Sequence, residues 1–361
     1  MQTLLRTPPP GPGQLWNPLN HMQFHRGIRL NSERRFGPCP GVGGAGPGAM
    51  LPCGPARGPP RPGLLGETLN LQRLLPHGSR IASLLPRALA EVAADRAGDC
   101  AWFAWPRGRR VLAANLEHAA GPQATRATRG AFRTYARYYL SMQRLAHLPL
   151  SRAVGALRWR SREHLEDSLA AGRGALVLTA HFGNWDLVGA GLAQCGWQPC
   201  VFTERLAPRP LFEFYRRARH RMGMTVSPAG DPGRAPWRTL ARNGVLALVA
   251  DRPFGNRLET VRLGEADLQV PTGGIRLALR AGAAIHGVFA VRTPEGFELH
   301  CGPDWAAPAR RHADERAQMR SVAGAFARQL QTMVRAYPEQ WCLLAELPRH
   351  ANPLPGAGSA A

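Results

Sequence analysis

Apolar positions along this chain change their spacing twice. In residues 1–66 they fall into short groups cut by Pro and Gly. From residue 67 to about 150 they recur near every 3.6 residues. Leu69, Leu74, Leu75, Ile81, Leu84, Leu85, Leu89 and Val92 form one apolar face, interrupted at Pro76 and Pro86. Phe132, Tyr135, Tyr138, Tyr139 and Met142 form another within 123–145. This period keeps side chains on one side of a helix, so the segment predicts a helical subdomain over 67–150.

Beyond residue 150 short apolar runs alternate with amphipathic stretches. Strands are predicted at 175–180, 200–203, 225–227, 245–250 and 284–291, with an edge strand at 297–301. Helices are predicted at 184–193, with Asn184 as its N-cap, and at 210–222, 234–242, 271–281 and 311–335. Strands that alternate with helices pair in parallel, because each helix carries the chain back across the sheet. The fold class predicted is α/β, a mostly parallel central sheet flanked by helices over 151–350, with a flexible C-terminus at 351–361.

Composition changes this picture at the N-terminus. Residues 1–66 hold 13 Pro and 13 Gly, a density typical of low-complexity sequence, and read as a disordered tail. The residues 1–10 carry Pro8, Pro9 and Pro10 where a signal peptide needs an apolar core. No apolar run is long enough for a transmembrane helix. Seven cysteines without a C-x-x-C pair give neither a disulfide framework nor a zinc site. All 46 basic residues are Arg against 24 acidic ones, a formal charge of +22, so lysine chemistry is excluded. The Arg excess fits either a compositional bias or an anionic partner such as nucleic acid, phospholipid or a phosphorylated substrate.

The chemistry gathers where strands end. In a parallel sheet, ligands bind beyond the carboxyl ends of the strands. His181 through Asp186 follow the strand at 175–180, Glu204 and Arg205 follow the one at 200–203, and Asp251 and Arg252 follow the one at 245–250. All would converge on one edge. His181 and Asp186 stand five apart, so a turn there could return the carboxylate to the imidazole Nδ1. That would fix the tautomer and leave Nε2 to take a proton. The alternative is a capping His with an Asp that complements the helix dipole. For Glu204 the alternative is a salt bridge with Arg205, and for Arg216 and Arg219 a solvated helix face.

The strings LVLTAHFGNWDLVGAGLA, FTERL, ALVADRPFG and VPTGGIRLALRAGA carry a resemblance. They are similar to the lysophospholipid acyltransferase superfamily, in the branch of lipid A lauroyl and phosphatidylinositol mannoside acyltransferases. The likeness runs over about 68–345. It takes in Asn115, the Arg137-Tyr138-Tyr139 helix and the late Pro338-Glu339-Gln340-Trp341. It implies an O-acyltransferase with His181 and Asp186 as catalytic pair. Asn184, Glu204, Arg205, Asp251 and Arg252 would bind substrate. No metal or cofactor is implied. Acyl-CoA or acyl-carrier protein would be the co-substrate and a glycolipid the acceptor. Asp186 where lipid A enzymes often carry Glu, together with the missing N-terminal span, points to the mannoside-type branch. The protein would then sit as a peripheral enzyme on a membrane phospholipid surface, at the cytoplasmic face.

Two other readings stay open on sequence alone. A basic nucleic-acid binder would show steeply salt-dependent binding, although no recognition motif is present and no nucleic acid is expected. A hydrolase would use the same His and Asp with water as acceptor.

Overall fold

The computed structural model describes residues 71–204, 209–228 and 234–350. The tail at 1–66, the C-terminus at 351–361 and Arg205 lie outside the described residues.

Among the described residues, five α-helices precede the sheet: α1 (Leu71–Leu84), α2 (Arg87–Ala104), α3 (Pro106–Ala120), α4 (Thr128–Leu145) and α5 (Leu150–Val154). Pro86 ends the first break and Pro106 starts α3, positions where a missing N–H leaves no helical bond unmade. α2 and α4 meet backbone to backbone at Gly98, where a Cβ would lie 2.6 Å from the Arg133 Cα. Beside that contact the buried Asp99 carboxylate accepts two hydrogen bonds each from Arg129 and Arg133, at 2.7–2.9 Å.

The sheet has seven strands: β1 (Ala156–Arg160), β2 (Ala175–Thr179), β3 (Pro199–Thr203), β4 (Thr225–Pro228), β5 (Val245–Val249), β8 (Ala284–Arg292) and β9 (Gly296–Cys301). Its order is β1-β9-β8-β2-β5-β3-β4, and every neighbouring pair is parallel except β8 with β9. The α/β, mostly parallel class read from the alternation is the one observed. All five residues of β2 are buried. Strands covered on both faces read as unbroken apolar runs, and this one was legible for that reason.

The intervening helices are α6 (Glu163–Ala170), α7 (Asp186–Gln194), α8 (Arg209–Arg221), α9 (Ala235–Ala241), α10 (Gly273–Arg280), α11 (Ala306–Ala309) and α12 (Glu315–Ala336). α12 buries Val322, Phe326, Leu330 and Val334 at four-residue spacing, and Phe326 stacks on Phe289 of β8 at 6.2 Å. Among the described residues, no helix is long and apolar enough to cross a membrane.

The structure corrects four local expectations. The segment 297–301 is not an edge strand, because β1 pairs outside it. β1 was missed because Arg158 and Arg160 interrupt its apolar positions. A hairpin of β6 (Leu258–Leu263) and β7 (Ala266–Pro271) was also missed, although it alternates buried and open positions. Gly264, at φ +62°, makes its two-residue turn. Pro271 ends β7, so α10 begins two residues later than predicted.

Candidate active site

β2 and β5 set the centre. Their register pairs Ala175 with Val245 through Thr179 with Val249. The Ala250 N–H then donates to the Thr179 carbonyl at 2.8 Å. Each strand runs one residue further and delivers its functional side chain, His181 from one and Asp251 from the other. His181 Nδ1 lies 2.7 Å from Asp251 Oδ1, and the His181 backbone N–H donates to Oδ2 at 2.9 Å. Both residues sit two places past the last paired position of strands of equal length, so they arrive side by side.

The Asp251 carboxylate is wholly buried and takes a further bond from Trp341 Nε1 at 3.0 Å. Burial by itself would raise its pKa. The charge of His181 and the hydrogen bonds from His181 and Trp341 outweigh burial and hold the carboxyl below its ordinary value. An ionised carboxylate only accepts, so Nδ1 carries a proton, and in the neutral ring it is Nε2 that holds the lone pair. The imidazole keeps one-fifth of its side chain exposed, enough for a reactant to reach it.

Asp186 does not hold His181; this corrects the pairing expected from their spacing. Its carboxylate is gripped by Arg219 of α8, Nε to Oδ1 at 2.6 Å and Nη2 to Oδ2 at 3.2 Å. It also accepts from the Tyr138 hydroxyl at 2.8 Å. The turn between β2 and α7 carries the acid round to face α4 and α8 instead of back towards the strand end. Arg219 is therefore not a solvated helix residue. Burial works against its charge, but Asp186 more than compensates and raises its pKa. Arg216 does lie on the open face, paired with Glu213.

Tyr138 stacks on Trp185 with ring centroids 3.7 Å apart, and Trp185 meets the His181 ring edge-on at 4.9 Å. Asp186 thus orders an aromatic wall beside the imidazole without touching it. Burial, with the Asp186 charge second, pushes the Tyr138 hydroxyl well above its usual pKa, so it stays a donor.

Asn184 is not the helix cap expected of it. Its amide donates to Ser141 Oγ of α4 at 2.7 Å, and α7 starts after Trp185 with no side-chain cap. Arg252 donates to Glu204, joining two strand ends across the mouth of the site. The alternative of a Glu204–Arg205 bridge falls on Arg205, outside the described residues. Among the described residues no group of three or more His, Cys, Asp or Glu is placed to hold a metal ion.

Asp251 was expected at this edge as a substrate-binding residue, and the structure bonds it to His181. The signal was present: ALVLTAH and VLALVAD are equal in length and end in the two partners. Sequence reasoning had Trp341 only within the resemblance, with no partner; the indole crosses from the far end of the chain. Nothing local to Trp341 signals that contact.

The family described as bacterial lipid A biosynthesis acyltransferase matches residues 75–349. A phosphatidylinositol mannoside acyltransferase of Mycolicibacterium smegmatis is 29% identical over 221 residues, 60% of this chain and 70% of the relative. One from Mycobacterium tuberculosis H37Rv is 29% identical over 278 residues, 72% of this chain and 83% of the relative.

Proposed function

The chain belongs to the bacterial lipid A biosynthesis acyltransferase family and is an acyltransferase; on that premise we propose that it moves a fatty acyl chain from acyl-CoA or acyl-carrier protein to a hydroxyl of a glycolipid. The observation that carries the mechanism is the buried Asp251 hydrogen-bonded to His181 Nδ1 at the sheet edge. Nε2 takes the proton of the acceptor hydroxyl as its oxygen attacks the thioester carbonyl. Collapse of the tetrahedral intermediate breaks the carbon–sulfur bond, and the imidazolium returns the proton to the departing thiolate. Asp251 stays ionised and stabilises the imidazolium, the role first expected of Asp186. Such base catalysis contributes about 10²–10⁴-fold. No cofactor is needed for these steps.

The mannoside-type acceptor is favoured by the mycobacterial relatives' names. Glu204 and Arg252, joined at the mouth, have the hydrogen-bonding groups to bind acceptor hydroxyls; Asn184 and Arg205 remain proposed substrate contacts. The proposed place is a peripheral seat on the cytoplasmic face of a phospholipid membrane, and α1 and α2 support the membrane seat. They expose Ile81, Leu84 (82% exposed), Leu89 and Val92 between the exposed Arg80 and Arg96. Apolar side chains flanked by guanidiniums suit an anionic lipid surface.

The test supplies labelled long-chain acyl-CoA, or acyl-carrier protein, with phosphatidylinositol mannoside or lipid A precursor in vesicles. Acylated glycolipid is expected from the native protein, and none above background from His181→Ala. Free fatty acid as sole product would make the protein a hydrolase. Full activity in His181→Ala would sink the mechanism.

A further inference from the structure

The segment Gln340–Cys342 lies far from the site in sequence yet pairs with the turn that carries it. Trp341 and Phe182 form an antiparallel bridge. The Gly183 N–H donates to the Gln340 carbonyl and the Cys342 N–H to the His181 carbonyl, each at 2.7 Å. Gln340 is itself clasped to the end of β8: Oε1 accepts from the Arg292 N–H at 2.7 Å and Nε2 donates to the Arg292 carbonyl at 3.2 Å. Backbone pairing on both sides therefore fixes where the Trp341 side chain goes, and it delivers the indole N–H to Asp251 Oδ2.

We infer that Trp341 is a positioning residue for acyl transfer: its N–H locks the rotation of the Asp251 carboxylate so that Oδ1 stays aimed at His181 Nδ1. The inference rests on the reading of His181 as general base. Oδ2 accepts from Trp341 and from the His181 backbone, and Oδ1 from the imidazole. A turn about Cβ–Cγ would break all three bonds at once. Packing alone does not require an indole here. A Phe ring would fill most of the same wholly buried place, but it would leave a buried carboxylate one donor short.

The removal of that donor also has an electrical consequence. A carboxylate with fewer donors is a stronger partner for the imidazolium, so His181 should hold its proton to higher pH. The other groups near the pair remain in both forms. They are Cys342 beside Asp251, Asp186 with Arg219 and Tyr138 behind Trp185, and Arg252 with Glu204 and Tyr139 at the mouth.

The experiment compares the native enzyme with Trp341→Phe and with a protein carrying benzothienylalanine at 341, which keeps the ring shape and replaces N–H by sulfur. Both should lose about tenfold in kcat, with KM for donor and acceptor unchanged. The acid limb of kcat/KM should move to higher pH. The His181 titration midpoint, followed by NMR without turnover, should move the same way. If Trp341→Phe does not fold, the benzothienylalanine protein decides. Native kcat, acid limb and midpoint in that protein would overturn the positioning role while leaving His181 as base intact. Full activity of His181→Ala would overturn both, and that variant tells the two failures apart.

Discussion

Two aspartates, five and seventy residues from His181, have different partners. Asp251 faces the imidazole, and Asp186 faces a guanidinium. Their asparagine variants should therefore fail differently. Asp251→Asn should lower kcat by roughly 10³–10⁴-fold, the scale seen when a triad aspartate is neutralised. Asp186→Asn leaves Arg219 buried against an uncharged partner. It should cost about 3–5 kcal/mol of stability in a denaturant titration. pH bears on Asp251 as well. The Asp251 carboxyl is held below its unfolded value near 3.9, so its contribution to stability is present above that pH and is lost as pH falls through the lower folded value. Melting temperature against pH should fall less steeply on the acid side in Asp251→Asn. Gly183, at φ +56°, tolerates no side chain: an added Cβ would collide with the Ala290 carbonyl, so Gly183→Ala should lose both activity and melting temperature. His181 and the acids were legible one by one, because strand ends with charges are conspicuous in an apolar run. Which acid meets the imidazole depends on strand register, and a spacing of five along one chain segment cannot express that.

Elements were legible where burial was two-sided or the helical period long. β2 and β5 show as apolar runs, and α4 and α12 as stripes. β1 and the β6–β7 hairpin escaped because half-covered strands mix Arg and Glu into their sequence. Glu259 of β6 is buried yet charged, held by Arg320 of α12 at 2.7 Å, so its strand reads as polar where it is packed. The helical layer has its own polar clasp at Asp99. Hydrogen bonds from Arg129 and Arg133 keep that carboxyl below its usual range. Asp99→Asn should loosen α2 from α4, seen as faster amide exchange in both helices at neutral pH. The difference from the native protein should shrink as acid protonates Asp99 itself.

At the scale of the molecule, basic charge and exposed apolar residues gather on helices that precede the sheet. Were α1 and α2 a membrane seat, Leu84→Asp with Leu89→Asp should abolish sedimentation with anionic vesicles. It should leave turnover of a short-chain, water-soluble acceptor unchanged. Raised salt should weaken the native association, since the arginine contribution is screened within about 10 Å at 0.1 M. Persistent vesicle binding by the double variant would remove α1 and α2 from that role. The overall class was legible from the alternation of strand and helix. The sheet order was not, because it places β2 between β8 and β5, strands whose sequence positions are far from its own.

That order has a kinetic consequence. The reactive pair exists only after two stretches seventy residues apart have found one another in the correct alignment, and a slip by one place would turn the acid to the opposite face. A refolding chain with its helices already formed would thus be chemically silent. Regained turnover, set beside regained helicity, would time the pairing of β2 with β5.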